Sequence, residues 1–442
     1  MTIRLLLPLI AALGLVAAPA AAQTAAPPPI IPLAVPPLPT PNVEKTAAGD
    51  TATIGRNLAG VIAADLATTG RFALIGPDTA RVYGFAEATG PQFRLWRATA
   101  AKALVSGFVE ARPDGRLTVA CYVFDVASGR ELARQGFVVA PADWRRAAHR
   151  CSDAAYAKLT GNRGLFDTAI AYVAESGPPT ARVKRIAVMD ADGSNHRYVT
   201  AGETAVLTPR WSPRGDRLAY TAFTPGGTSL QIVDLAAEQP QVRALVPGTG
   251  INFAPRFSPD GRQIAFSMAS NGNTDIYVVG ADGGGLQRLT TMPGVDTSPS
   301  FSPDGSKIVF ESDRSGGQQL YVMNADGSDQ RRISFGASRY ASPAWSPRGD
   351  LIAFTRITGP NLAIGVISPA GIDERVISNA WQDEGPSWAS NGETILFHRT
   401  DPASGRTSLR AVSLNGGIDR RVGTPQDGSD ADWSAVQDEV KR

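Results

Sequence analysis

The sequence of 442 residues has little of what catalysis, metal binding or nucleic-acid binding usually requires. It contains only 2 cysteines and 3 histidines, and its formal net charge is +2. Such a balanced charge gives no electrostatic footprint for nucleic acid. Charged residues make up 19% of the chain and hydrophobic residues 43%, which is enough for sizeable cores. The length predicts two or three domains, or one large repeat domain with a smaller one.

Motifs of common catalytic sites are also missing. The chain lacks a G-x-S-x-G nucleophile turn and a G-x-x-x-x-G-K-S/T phosphate loop. His149, His196 and His398 have neither a ligand partner four residues away nor a cysteine pair, as a zinc site would need. The segment 190–193 (Asp-Ala-Asp-Gly) is expected to be a hairpin turn, because the bidentate Glu of a calcium loop is absent. We therefore expect a protein without metal or cofactor that is not an enzyme.

Long apolar runs are confined to the start of the chain. Arg4 precedes the apolar residues 5–16, and three alanines at 20–22 offer a cleavage site before Gln23. This pattern predicts a signal peptide over residues 1–22, with a membrane anchor as the alternative. No later segment reaches about 18 uninterrupted apolar residues. The mature protein is therefore expected to be exported and soluble.

Residues 23–41 are rich in proline. Such a composition favours extended polyproline structure with few backbone donors. We interpret this arm first as a disordered linker, with a tether or docking arm as the alternative.

Residues 42–162 mix helical and strand patterns and are expected to form a small α+β domain. Apolar residues at helical spacing predict helices, and alternating runs separated by Gly-containing turns predict strands. The expected helices cover 54–68 and 143–159, with Gly70 near the end of the first and Asp143 capping the second, and the expected strands cover 103–110, 117–126 and 131–139. We expect helices on one face of an antiparallel sheet. Cys121 and Cys151 fall within it, and a disulfide and two buried thiols are equally compatible with their spacing.

Residues 163–442 carry a repeated motif, Pro-x-Trp/Phe-Ser-Pro-Asp/Arg-Gly. Its aromatic residues are spaced by 46, 44, 44, 43 and 45 residues and stand at Trp211, Phe257, Phe301, Trp345, Trp388 and Trp433. Each motif supplies a short inner strand and a tight turn, and an apolar strand follows it. A period of this length with four short strands is typical of a β-propeller blade. The fold is therefore predicted to be an N-terminal α+β domain followed by an all-β six-bladed β-propeller with WD40-like repeats.

The ends of the repeat array predict how the ring closes. Residues 169–173 resemble a second strand that no motif precedes, and no blade follows Trp433. The strand around Trp433 is therefore expected to complete the first blade, which would remove the two free sheet edges.

The segments just before each motif vary in sequence and are expected to be loops at the mouth of the central channel. The Ser-Pro-Asp-Gly and Ala-Asp-Gly turns are expected on the other face. Aromatic and charged side chains in the varying segments suit a protein-binding mouth, and ordinary loop variation is the alternative. The candidates are Phe253, Tyr340 and Trp381, expected to be exposed, together with Asp296, Arg339, Asp383, Glu384 and Asp430.

The order of signal peptide, α+β domain and six such repeats resembles the TolB family of the Tol-Pal system. The residues 55–72, 143–149 and 158–161 look like the first and last helices of the family's N-terminal domain. The resemblance implies a monomeric periplasmic protein whose propeller mouth binds Pal, a peptidoglycan-associated outer-membrane lipoprotein. It further implies support of outer-membrane invagination during cell division and of envelope integrity. Carried over to this chain, the residues facing Pal are Ile251, Asn252, Phe253, Ala254 and Thr297.

The resemblance also implies that the mature N-terminus binds TolA, part of an inner-membrane complex. The proline-rich arm departs from the family's Val-, Ile- and Gly-rich N-terminus, so TolA binding through the arm is the weaker expectation. Two other functions remain open at this point. They are a propeller-type periplasmic hydrolase and a general scaffold unconnected to Pal.

Overall fold

The computed structural model describes residues 29–75, 83–237, 240–246, 250–378, 380–414 and 418–436. The predicted signal peptide and the first residues of the proline-rich arm lie outside these ranges. Within them, no helix is both long enough and apolar enough to cross a membrane.

The N-terminal part is a five-stranded sheet with helices on both faces. Its elements are β1 (Ile31–Ala34), β2 (Lys45–Thr46), β3 (Gly49–Asp50), α1 (Thr51–Ala67), β4 (Phe72–Ile75), α2 (Ala86–Thr89), α3 (Phe93–Ala98), β5 (Ala103–Ala111), β6 (Leu117–Asp125), β7 (Glu131–Val139), a 3₁₀ turn (Pro141–Asp143) and α4 (Trp144–Thr160). The strand order is β4-β1-β5-β6-β7, and β2 and β3 form a separate small hairpin.

The described part of the proline-rich arm, residues 29–41, is not a disordered linker, and for this part that interpretation was wrong. Its residues Ile31–Ala34 form β1, which pairs in parallel with both β4 and β5. Leu33 and Leu38 are buried in the same core as α1, and this burial of apolar area outweighs the backbone donor that Pro32 lacks. The sheet is therefore mixed, and the expectation of an antiparallel sheet is corrected.

Two long helices, α1 and α4, pack together over this sheet, close to the predicted positions. Asp50 caps α1, because its carboxylate accepts a hydrogen bond of 2.8 Å from the backbone N–H of Thr53. Asp143 stands before α4 but makes no capping bond with its side chain, contrary to expectation. A disulfide between Cys121 and Cys151 joins β6 to α4, which decides between the two alternatives left open by the sequence.

The rest of the described chain forms six blades around a central channel. The strands are β8 (Ala169–Ser176), β9 (Val183–Asp190) and β10 (Arg197–Tyr198) in blade 1; β11 (Val206–Trp211), β12 (Arg217–Thr224), β13 (Gly227–Asp234) and β14 (Val242–Ala244) in blade 2; β15 (Ile251–Phe257), β16 (Gln263–Ser270), β17 (Asn273–Gly280) and β18 (Gln287–Arg288) in blade 3; β19 (Asp296–Phe301), β20 (Lys307–Ser312), β21 (Gln319–Asn324) and β22 (Arg331–Arg332) in blade 4; β23 (Arg339–Trp345), β24 (Ile352–Thr358), β25 (Asn361–Ile367) and β26 (Arg375–Val376) in blade 5; β27 (Asp383–Trp388), β28 (Thr394–Thr400), β29 (Thr407–Ser413) and β30 (Asp419–Arg421) in blade 6; and β31 (Asp427–Trp433).

The last strand completes the first blade, as the sequence predicts. β31 pairs antiparallel with β8, with Trp433 opposite Ile170. The indole N–H of Trp433 donates to the hydroxyl of Thr168 at 2.7 Å, and Ser434 accepts from the N–H of Ala169 at 2.9 Å. The order of strands in blade 1 is thus β31-β8-β9-β10.

The segments predicted to be loops before each motif are instead the first halves of the innermost strands. Each of these six strands carries an irregularity in its pairing with the next strand. One residue at each irregularity has a positive φ, as β-bulge residues often do, and these are Thr208, Ala254, Ser298, Ser342, Gly385 and Asp430. The pairing continues through these segments because the bulge absorbs the extra residue.

The two ends of the channel differ in what lies on them. The turns between first and second strands and between third and fourth strands share one end, and the N-terminal domain docks there. Glu393 of such a turn accepts hydrogen bonds from Tyr156 and Asn162, and Asp192 of another accepts from Arg145. We call this end the domain face, and the opposite end, where the innermost strands begin, the mouth face.

Candidate partner-binding face

The mouth face opens on the ring of six bulged residues, which lines a narrow cavity of about 60 Å³. Arg210 and Arg256 lie beneath the ring and also line the wider cavity of about 330 Å³ that opens at the domain face. The channel is therefore constricted where these two guanidinium groups lie. A partner at the mouth face meets the ring rather than an open pore.

Asp432 of the closing strand holds this constriction together. Its carboxylate accepts hydrogen bonds of 2.9 Å from the N–H of Trp211, from the guanidinium of Arg256 and from the hydroxyl of Ser387. One side chain thus links blades 2, 3 and 6 to the strand that closes blade 1. Burial lowers the pKa of Arg256 to about 10, and nearby Arg210 adds to this, while Asp432 opposes it.

An apolar groove of about 510 Å³ lies beside the ring, between blades 2 and 3. Its apolar lining comes from Leu207, Phe223, Ile251 and Phe253. Phe223 and Ile251 are 45% and 52% exposed, so the groove presents large hydrophobic side chains to solvent. Clustered exposed apolar side chains rimmed by polar ones are typical of a protein-binding surface.

Blades 2 and 3 are joined at the floor of this groove. Thr228 of β13 pairs in parallel with Ile251 of β15, so that the two blades form one eight-stranded sheet. The Thr228 hydroxyl donates to the carbonyl of Asn252 at 2.8 Å and accepts from its N–H at 2.9 Å. The groove therefore lies on a backbone that both blades hold in place, which suits a preformed binding site.

The other side of the mouth face is ionic. In blades 4 and 6, the first residue of the innermost strand is a buried aspartate paired with an arginine of the second strand or of the loop that follows it. Arg314 donates to Asp296 at 2.5 Å, and Arg399 holds Asp383 with two hydrogen bonds of 2.6 and 2.8 Å. Both carboxylates are fully buried, and one oxygen of Asp296 accepts no hydrogen bond from the described residues. Of the two arginines, Arg399 is the more exposed, at 21% against 6% for Arg314.

The predicted binding residues divide into two groups by burial. Asn252, Asp296, Thr297, Tyr340 and Asp383 are buried, at 6% exposure or less. These residues lie on strands rather than in loops, and their side chains are buried within the propeller, where they stabilise the blades. The residues that remain at the surface are Ile251, Phe253, Ala254, Arg339, Glu384 and Asp430.

The expectation of an exposed Tyr340 was wrong. Its ring is 1% exposed and packs 5.2 Å from the ring of Phe354, measured between centroids. Its hydroxyl donates to Glu374 at 2.9 Å. Trp381, by contrast, is 48% exposed, as expected. Tyr340 follows Arg339 on the same strand, and successive side chains of a strand point to opposite faces of the sheet. Because Arg339 faces outward, Tyr340 is buried.

Sequence reasoning missed two groove residues, Leu207 and Phe223. Phe223 is the last residue but one of β12, the second strand of blade 2, and lies close to the glycines of the hairpin at 226–227. Successive strands of a blade run in opposite directions, so the turn between the second and third strands lies at the mouth end. An apolar residue just before that turn was the signal that could have identified Phe223.

The three histidines lie apart and form no common site. His196 lies between the rings of Tyr172 and Tyr198, and burial lowers its pKa. His398 accepts a long hydrogen bond of 3.4 Å from the N–H of Asp430. His149 is buried between the two domains, where it contacts Asp65.

The fold defines a class of protein, a six-bladed β-propeller with a small α/β domain docked on one face. The family model described as the TolB beta propeller domain matches residues 156–437, and that of the TolB amino-terminal domain matches residues 27–132. The chain therefore belongs to the TolB family and is a component of the Tol-Pal system of the cell envelope.

Similar proteins extend over nearly the whole chain. The Tol-Pal system protein TolB of Rhizorhabdus wittichii is 52% identical over 441 residues, covering 99% of this chain and 100% of its own. That of Zymomonas mobilis is 52% identical over 406 residues, covering 92% and 88%. The crystal structure of TolB from Acinetobacter baumannii superposes with a TM-score of 0.79 at 26% identity, covering 93% of this chain and 98% of that one.

Proposed function

We propose that this chain is a non-catalytic periplasmic adaptor that binds the lipoprotein Pal at the mouth face of its propeller. The observation that carries the proposal is the apolar groove of Leu207, Phe223, Ile251 and Phe253 beside the channel ring. In protein interfaces a few large apolar side chains supply most of the binding energy, and polar residues at the rim exclude water. Thr221, Thr224 and Thr228 line the same groove and supply polar groups beside its apolar side chains. We propose that Arg339, Glu384 and Asp430 contact Pal elsewhere on the mouth face.

The other predicted residues contribute in a different way. Asn252, Asp296, Thr297 and Asp383 are buried, so we propose that they hold the shape of the mouth rather than touch Pal. Their replacement would weaken binding through the fold, whereas replacement of Phe253 would weaken it through the contact.

Binding of TolA is a narrower proposal, because much of the arm is already engaged. Residues Ile31–Ala34 pair with β4 and β5 and could not leave without breaking the sheet. Any contact between the arm and TolA therefore falls to residues before Ile31. A chain that holds Pal at one face and the inner-membrane Tol complex at its N-terminus would link the two membranes during invagination at division.

The proposal is tested by calorimetry of Pal, without its lipid, against the full chain. Phe253→Ala removes a large apolar side chain from the groove and should weaken binding by roughly 2 kcal/mol, or about thirtyfold. The matched control is Arg262→Ala on the domain face of the same blade, whose side chain is 87% exposed. It should bind as the unaltered chain does.

Two outcomes would contradict the proposal. An unchanged affinity for Phe253→Ala, with an unchanged melting temperature, would remove the groove from the site. A full chain that fails to bind Pal at all would remove the Pal assignment itself.

A further inference from the structure

A cluster of charged groups lies where the N-terminal domain meets blade 1, far from the mouth face. His149 of α4 is at its centre, and its side chain is 3% exposed. Its Nδ1 lies 2.8 Å from a carboxylate oxygen of Asp65 in α1, and that oxygen also accepts a 2.7 Å hydrogen bond from Ser152. The imidazole is thus fixed in orientation by two helices of its own domain.

The other nitrogen of His149 faces the propeller. Nε2 is buried, has no hydrogen-bond partner among the described residues, and lies 3.7 Å from a carboxylate oxygen of Asp192. Asp192 belongs to the turn after β9 in blade 1, so the gap between the two atoms spans the boundary between the domains. A neutral imidazole would place an unpaired lone pair against a carboxylate there, whereas an imidazolium would place an N–H.

The surrounding charges favour the imidazolium. Asp65, Asp190 and Asp192 supply three carboxylates that interact with His149. Two guanidinium groups oppose them, since Arg145 donates to Asp192 at 2.5 Å and Arg420 of blade 6 interacts with Asp65. A positive charge on His149 would be the third cation beside these three carboxylates, so that the charges at this interface would be neutralised.

We propose that His149, as an imidazolium held between Asp65 and Asp192, is an ionic latch that docks the N-terminal domain on blade 1, and that loss of its proton loosens this docking. Arg145 already occupies the oxygen of Asp192 that a metal ion would need, which favours a proton over a metal in the gap. The latch lies on α4, which the disulfide of Cys151 ties to the sheet, so its effect passes to the domain as a whole.

The titration supports the direction of the effect. Burial alone would lower the pKa of His149, but the hydrogen bond and charge of Asp65, with the charges of Asp192 and Asp190, raise it overall. A folded-state pKa above the unfolded value of about 6.5 stabilises the docked state below that pH. The stabilisation is then lost as the pH rises through the folded-state pKa.

A second titrating group in the same region must be separated from the first. Asp153, also on α4, accepts hydrogen bonds from the N–H groups of Phe166 and Asp167 in the connection between the domains, and burial raises its pKa to about 7. Its ionisation also disfavours the folded state as the pH rises, although most of that effect falls below pH 7. The pair of Arg146 and Asp167 lies nearby.

The test is the melting temperature of the full chain between pH 6 and pH 9. His149→Asn keeps a donor toward Asp65 but does not titrate, so the fall in melting temperature should be smaller by roughly 2 °C than in the unaltered chain. Asp153→Asn is the control and should keep the fall above pH 7. The protection factor against hydrogen exchange over residues 144–150 and 190–195, which corrects for the intrinsic effect of pH, should fall at least threefold at high pH only where His149 is present.

Three results would overturn the latch. Parallel pH profiles for His149→Asn and the unaltered chain would show that the proton has no role. Zinc that raises the melting temperature of chelator-treated protein, but not of His149→Asn, would show a metal site. If the variant does not fold, the imidazole ¹⁵N signals of the unaltered chain decide, and a neutral His149 at pH 6 contradicts the proposal; assignment is simple with 3 histidines.

Discussion

The two faces of the propeller share one backbone and differ in side chains. On the domain face, the turn after the innermost strand repeats the same Ser-Pro-Asp/Arg-Gly pattern in blades 2 to 5, and blade 6 carries the related Ala-Ser-Asn-Gly. On the mouth face, the first residue of the innermost strand is less uniform: it is apolar in blades 2 and 3 (Val206, Ile251), arginine in blade 5 (Arg339) and aspartate in blades 4, 6 and 1 (Asp296, Asp383, Asp427). The bulge two or three residues later recurs in all six strands. Repeated residues therefore build the ring, and varied residues on the same scaffold are free to select a partner.

The domain face also binds the N-terminal domain, which the repeat motif does not predict. Single residues next to the turns hold the N-terminal domain, as Glu393 does for Tyr156 and Asn162. Among the described residues, these hydrogen bonds come from blade 1 (Asp192) and blade 6 (Glu393), which are neighbours in the ring. The domain face thus combines a uniform frame with a local docking site.

Replacing Asp432, which links the blades around the channel, should impair both faces of the propeller at once. Asp432→Ala leaves the guanidinium of Arg256 buried without its partner and breaks hydrogen bonds to three blades. We expect the free energy of unfolding to fall by about 3–5 kcal/mol, measured by chemical denaturation. Pal binding and domain docking should weaken together.

The matched control is Asp260→Ala in a turn of the domain face, where the side chain is 59% exposed. We expect a change of under about 1 kcal/mol in the free energy of unfolding. Equal effects from the two variants would show that Asp432 does not hold the ring.

Removing the disulfide should have a smaller effect, confined to the N-terminal domain that docks on the domain face. The disulfide of Cys121 and Cys151 closes a separation of 30 residues within the N-terminal domain. Replacing both cysteines with alanine should lower the stability of that domain by about 3 kcal/mol, seen as an earlier transition in denaturant. Pal affinity should stay unchanged, and a loss of affinity would mean that the two faces are coupled.

Much of the propeller could be predicted because its signals are local. Each blade carries its aromatic anchor and its turn within a few residues, and closure by Trp433 follows from counting them. The position of β1 could not be predicted in this way. Its partners, Phe72 and Ala103, lie some 40 and 70 residues further along the chain, and its composition favours a linker.

The binding role of the candidate site stays a prediction, and only the positions of its residues can be compared with the structure. The segments before each motif lie at the mouth end as strands rather than loops, and which side chains face outward depends on strand pairing and on the bulge. Tyr340 and Asp383 read as surface residues in sequence, yet the strand directs them inward to Glu374 and Arg399. Phe223 was missed because it joins the groove from another blade.

The central claim is that Pal binds the mouth face through the groove between blades 2 and 3. Hydrogen exchange of the full chain with and without Pal tests it most directly. We expect slower exchange in residues 205–224 and 250–256, and unchanged exchange in the turn at 258–263 on the domain face. Protection of that turn, with none at the groove, would contradict the account.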